Sequence, residues 1–126
     1  MFRFGHLSEE IFRACRLVVD TGLHSLNWTM EDAVQYMLAH TAASEDGIRS
    51  EVRRYITWPG QAVAYKVGQL KIIELRNLTE ASLGDSFDIK EFHDIVLNSV
   101  GPLAVLEDQI LKYINSRKNI LLYSRL

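Results

Sequence analysis

Gln61, Tyr65 and Lys66 fall within "PGQAVAYKVGQLK", an apolar stretch in which a phenol and an amine need a reason to be present. Gln61 and Tyr65 are one helical turn apart, so a helix brings them to the same side. A buried phenol needs a hydrogen-bond partner, and a buried amine is costly unless it is paired or brought to water. Two arrangements meet those demands. Either Tyr65 packs in the core while Lys66 snorkels from its rim, or all three residues face a polar cleft. The second would offer a bound polar substrate a hydroxyl donor, an amide and a cation.

The same tension recurs in "RACRLVVDTGLH". Arg13, Arg16 and Asp20 are spaced at three and four, and Arg16 with Asp20 has the spacing of a helix ion pair. His24 follows Gly22, just past the predicted helix end. An ordinary surface salt bridge accounts for the pattern; so does an arginine and a histidine held ready at a cleft rim.

Other chemistry is missing its local signatures. His6, His24, His40 and His93 contain no i,i+4 pair, and there is no HExxH or CxxC, so no metal site is predicted in this chain. No G-x-S-x-G frames a serine, and Gly60, Gly68 and Gly84 do not form a phosphate-cradling loop. Cys15, the single cysteine, sits among apolar neighbours and reads as a small buried hydrophobe rather than a nucleophile.

The elements that must position these residues read as helices almost throughout. Leu7, Ile11, Ala14, Cys15 and Val18 predict one buried face of a first helix, from near Ser8 to near Gly22. Thr29 with Asp32 has capping-box spacing for a second helix reaching about His40. Ser44 caps a third, through Tyr55 or Ile56. Pro59 suits the first turn of a fourth, from Pro59 to about Leu83, whose apolar residues cover so much of its circumference that it is expected to be central and buried. Asp88 with Glu91 predicts another capping box for a fifth helix, and Gly101-Pro102 separates it from a sixth. The tail "SRKNILLYSRL" shows no clear period. The expectation is an all-α bundle of about six helices in a single helical domain spanning residues 1–126, with one core.

Composition sets bounds on partners. With 126 residues, 48% hydrophobic and 24% charged, the chain is of the folded, soluble type. A net charge of −2 gives no reason to expect nucleic acid. Among the basic residues Arg49, Arg53 and Arg54, the acids Glu45 and Glu51 stand at pairing distance, which predicts a solvated mixed-charge face. A lone cysteine excludes an intrachain disulfide, no apolar run reaches membrane-spanning length, and the amino terminus lacks the order of a signal peptide.

Three ordered blocks point further: "FRACRLVVDTGLHSLNWTMEDAVQYM", "EVRRYITWPGQAVAYKVGQLKIIELR" and "LGDSFDIKEFHDIVLNSVGPLAVLEDQI". They resemble the carboxy-terminal part of the bacterial-type proteins catalogued as domain of unknown function 885. Arg16 to His24, and Trp58-Pro59-Gly60-Gln61-Ala62 with Tyr65-Lys66, carry most of that resemblance. It implies long, mainly helical full-length proteins similar to zinc-dependent peptidases of the gluzincin kind, whose HExxH-like helix precedes the region matched here. Zinc is thus implied for the full-length family, and no cofactor for this chain.

By the same resemblance Tyr65 is the oxyanion donor and His24 a substrate-side donor. Arg16 orients a carboxylate, and Gln61 and Lys66 join the substrate side. The implied partners are the amino-terminal catalytic half and a peptide substrate, and the chain is expected to be a cleft wall that is inactive alone. The alternative is a non-enzymatic helical interaction module that self-associates into a homo-oligomer through the former domain interface.

Overall fold

The computed structural model describes residues 2–123, with side chains given for 3–120 and 122. Among them are six α-helices and no strand: α1 (Phe2–Ser25), α2 (Met30–His40), α3 (Glu45–Thr57), α4 (Ala64–Leu83), α5 (Ile89–Asn98) and α6 (Leu103–Tyr123). The all-α bundle of about six helices is therefore what the sequence folds into. The chain divides into two compact units, Met1–Val67 and Gly68–Leu126, so that α4 begins in one and continues in the other.

In the first unit α1, α2 and α3 pack pairwise, joined by short loops. Its core is Cys15, Val19, Ala33, Val34, Met37, Ile48, Val52, Tyr55 and Ala62. The second unit gathers Leu75, Leu83, Phe92, Leu106, Ile110 and Ile114. Two clusters with no shared residue thus stand where one core was expected from chain length. Sequence neighbours that pack locally close a small core before distant helices are needed.

Caps explain where several helices start. Thr29 Oγ1 accepts from the Asp32 N–H at 3.1 Å while Asp32 Oδ2 accepts from the Thr29 N–H at 2.8 Å, completing the predicted capping box of α2. The Thr29 hydroxyl, which donates to Asp32 Oδ2 at 2.6 Å, and then the Thr29 N–H hold the Asp32 carboxyl below its ordinary range. Ser44 Oγ accepts from the Gly47 N–H at the head of α3. Asp88 caps α5 through the Lys90 N–H at 2.8 Å, but the expected box with Glu91 does not form. Glu91 instead accepts from the Tyr113 hydroxyl of α6 at 2.7 Å.

Helix α1 runs further at both ends than predicted. Gly22 lies inside it, because the Trp28 ring packs where a Cβ at position 22 would have to be. Asn27, at φ 56°, turns the chain so that the Trp28 N–H donates to the Gly22 carbonyl at 3.0 Å. The buried face of α1 is also shifted: Cys15, Arg16, Val19 and Asp20 are covered, while Leu7, Ile11 and Val18 are exposed. The tail read as aperiodic is largely helical, since α6 continues to Tyr123, and residues 124–126 lie outside the described residues.

The long fourth helix needs two corrections. It begins at Ala64, because Trp58–Gln61 forms a β-turn in which the Gln61 N–H donates to the Trp58 carbonyl at 3.3 Å and Gly60 sits at φ 80°. Proline followed by a glycine at positive φ is the pattern of a type II turn, and no helix contains that glycine conformation. Nor is α4 buried all round. Only Leu75, Thr79 and Leu83 are covered, one line at i,i+4, while Val67, Leu70, Ile73 and Leu78 are exposed. Thr79 satisfies its buried hydroxyl by donating to the Leu75 carbonyl at 2.7 Å.

Candidate substrate-binding site at the Trp58 to Gln61 turn

The turn is held against α1 by one carboxylate. Asp20 is buried, and both of its oxygens accept from the Gly60 N–H at 3.2 Å. The N–H is aimed by the left-handed conformation that glycine allows, Gly60 having φ 80°. Asp20 is therefore spent on the turn, with His24 Nε2 3.9 Å away, and the predicted Arg16–Asp20 ion pair is absent. Arg13 pairs with Glu9 at 3.4 Å instead.

Anchoring the turn carries Gln61 to Arg16. The Gln61 Oε1 accepts from Arg16 Nη2 at 3.3 Å and from Arg54 Nη1 at 2.6 Å, so one amide oxygen bridges two guanidinium groups from different helices. Arg16 is only 2% exposed, and its Nε is covered with no acceptor. Its guanidinium carbon lies 5.3 Å from the Tyr55 ring centre and 5.1 Å from that of Tyr65. Arg13 is 4.6 Å from the Tyr65 ring centre. Cation–π contact compensates part of the lost hydration, on the order of 2 kcal/mol when desolvated, which is less than a buried charge costs.

Arg54 links this cluster to α3. Its Nη2 donates to Glu51 Oε2 at 2.6 Å, and the Tyr55 hydroxyl donates to the same carboxylate at 3.0 Å. The Arg54 bonds hold Glu51 below the usual carboxylate range, and Glu51 in turn raises Arg54. Burial, then the bond to Glu51, pushes the Tyr55 hydroxyl well up. Arg54 was expected only to pair with Glu51 on a solvated face. Its second partner, Gln61, is seven residues on and across the turn, so helical spacing gave no sign of it.

All five predicted site residues lie in the first unit, and the structure distributes them unevenly. Arg16, Gln61 and Tyr65 form one cluster. Tyr65 is 58% exposed, so of the two arrangements the one that packs it in the core is not adopted, and no hydrogen bond holds its hydroxyl among the described residues. Lys66 has the opposite fate: it is largely covered, and its Nζ donates to Glu10 at 2.8 Å. His24 joins through Asp20 and through the Tyr55 carbonyl, to which its Nε2–H donates at 3.0 Å. In a neutral ring that bond leaves Nδ1 as an acceptor, so His24 donates to a ligand only as imidazolium.

Among the described residues no group of three or more His, Cys, Asp or Glu is placed to hold a metal ion. Cys15 is buried, and burial pushes its thiol up, away from the thiolate a nucleophile needs. No helix among the described residues is long and apolar enough to cross a membrane.

The sequence that builds this fold belongs to a known class. The family model described as "Bacterial protein of unknown function (DUF885)" matches residues 1–110, and the chain belongs to that family. A solved structure, described as that of "the putative lipoprotein from Colwellia psychrerythraea", is 50% identical with a TM-score of 0.86. The match covers 89% of this chain and 19% of that one, so the chain spans a small part of the longer protein's length. No curated protein matches at a significant level.

Proposed function

We propose that this chain is the substrate-facing wall of a larger zinc-peptidase-like hydrolase, corresponding to its carboxy-terminal part. The observation that carries the reading is Tyr65, an exposed phenol whose hydroxyl has no hydrogen-bond partner among the described residues and whose ring lies against the guanidinium groups of Arg13 and Arg16. Positive charge beside a phenol makes it a better donor toward developing negative charge, provided it is aimed at the transition state. Arg16, Gln61 and Arg54 fix the surroundings of that phenol, which is the rigidity such a donor requires. Asp20 and Gly60 lock the turn that carries Gln61. His24 and Lys66 have positioning roles, through the Tyr55 carbonyl and Glu10.

The scissile bond belongs to the substrate, and the groups that would activate the attacking water would be supplied by the rest of the full-length protein. The test is Tyr65→Phe in a full-length family member that carries this tyrosine. Turnover is expected to fall by about a hundredfold or more, the cost of one oxyanion donor, with little change in KM. Unchanged kcat would remove the role.

A second reading is favoured by a different surface. Phe4, Leu7 and Ile11 form an exposed apolar stripe at helical spacing on α1 and line a cavity of about 650 Å³ with His40 and Ala42. Exposed stripes of this kind mark association surfaces, which suits a helical module that pairs with itself. Sedimentation across a hundredfold range of concentration separates the two readings, since a constant monomer mass would exclude self-association.

A further inference from the structure

The charge of Arg16 is left unanswered by the fold around it. Its single side-chain acceptor is the neutral oxygen of Gln61, which already takes a shorter bond from Arg54. The carboxylates of the cluster are committed elsewhere: Asp20 to the Gly60 N–H, Glu51 to Arg54 and Tyr55, and Glu9 to Arg13. Among the described residues none forms an ion pair with Arg16, and its covered Nε has no partner at all. A guanidinium withdrawn from water on those terms is destabilising, and Arg13 and Arg54 beside the same rings add like charge. An arrangement that the apo fold does not need points to an absent anion.

We infer that the surroundings of Tyr65 are a subsite for a carboxylate of the substrate. The partly exposed guanidinium groups of Arg13 and Arg54 supply the donors at the rim, and Arg16 supplies the positive field beneath them. Guanidinium forks match the planar geometry of a carboxylate, and little water remains beside Arg16 to screen the attraction. The inference rests on the reading of this face as a substrate wall and adds the class of substrate it selects: peptides presenting a carboxylate, at the chain terminus or on an acidic side chain.

The 126-residue chain is to be titrated with N-acetylglycine, N-acetylglutamic acid α-amide, N-acetylglycinamide and inorganic phosphate, following the NMR signals of Arg16 Nε–H and the Tyr65 amide. A saturable shift is expected with one or both carboxylates and none with the uncharged amide. The stronger carboxylate identifies a terminal or a side-chain group. Binding is expected to vanish in Arg16→Met and to weaken severalfold in Arg54→Gln, a rim change that leaves the core intact should the buried substitution fail to fold. Equal shifts from N-acetylglycinamide, saturation by phosphate alone, or unchanged carboxylate binding in both variants would overturn the proposal. Because no turnover is read, loss of the Tyr65 oxyanion role would leave this result standing, and the reverse also holds.

Discussion

Both units contain an arginine, a glutamate and a tyrosine joined in the same way. In the first, the Tyr55 hydroxyl and Arg54 meet on Glu51; in the second, the Tyr113 hydroxyl and Arg117 meet on Glu91. In the second unit the device ends there, tying α5 to α6 beside an apolar core. In the first it continues inward through Gln61 to Arg16, a cation with no carboxylate of its own. One triad serves as a complete staple, whereas the other is part of a network with surplus positive charge. Surplus charge of that kind contributes nothing to packing, which is why the first unit, and not the second, carries the functional reading.

The largest effect concerns the apolar half of this comparison. Phe92→Ala empties the centre of the second core and should cost about 3–5 kcal/mol. Hydrogen exchange should then show protection lost around Phe92, Leu106 and Ile110 but kept around Val19, Met37 and Val52, since the two clusters share no residue. Loss of protection in both at once would mean that the cores are coupled. The next effect has the opposite sign. Arg16→Met replaces a buried unpaired cation with an apolar chain of similar reach and should leave stability unchanged or raise it by about 1–4 kcal/mol, as other buried charge replacements do. Arg117→Met, at a partly exposed pair, should change it by less than about 1 kcal/mol. A thermal melt in which Arg16→Met is strongly destabilised would show that Arg16 is structural after all.

What the sequence revealed depended on whether the cause was local. The Thr29–Asp32 box, the Ser44 cap and the Glu51–Arg54 pair are all formed at the expected spacing, because each involves residues within one turn. Tyr55 is buried on α3 at its helical spacing from Ile48 and Val52, whereas Tyr65 is exposed because that depends on which face of α4 finds cover, and helical period does not encode that. Pro59 is favourable both at a helix start and in a turn; Gly60 at φ 80° decided for the turn, and that turn is what brings Gln61 to Arg16. Gly22 gave a similar lesson. It resembled a helix stop, yet its purpose is to admit the Trp28 ring, a partner six residues away. Gly22→Ala should therefore cost about 1–3 kcal/mol through overpacking, despite alanine's better helix propensity, and a measured gain in melting temperature would refute the packing role.

The smallest effects sharpen the comparison of the two triads through their titration. Burial, then hydrogen bonding to Glu91, pushes the Tyr113 hydroxyl up to about 12, and the same two causes push Tyr55 further still. A folded state that holds its phenolic proton more tightly than the unfolded chain has a contribution fully present below about pH 10, the ordinary tyrosine value, and lost as pH rises toward 12. On the acid side Glu51 is held low, mainly by Arg54, so its contribution is present above the ordinary glutamate range and lost as pH falls through the depressed value. Tyr55→Phe and Tyr113→Phe should each cost about 1–2 kcal/mol at neutral pH, as hydrogen bonds to charged groups do. Each should also flatten the alkaline limb of a stability–pH curve. Arg54→Gln should bring Glu51 back toward its ordinary value and so flatten the acid limb of the first unit. An acid limb left unchanged by Arg54→Gln would mean that this pair, and the network that extends through it to Arg16, has no energetic consequence for Glu51.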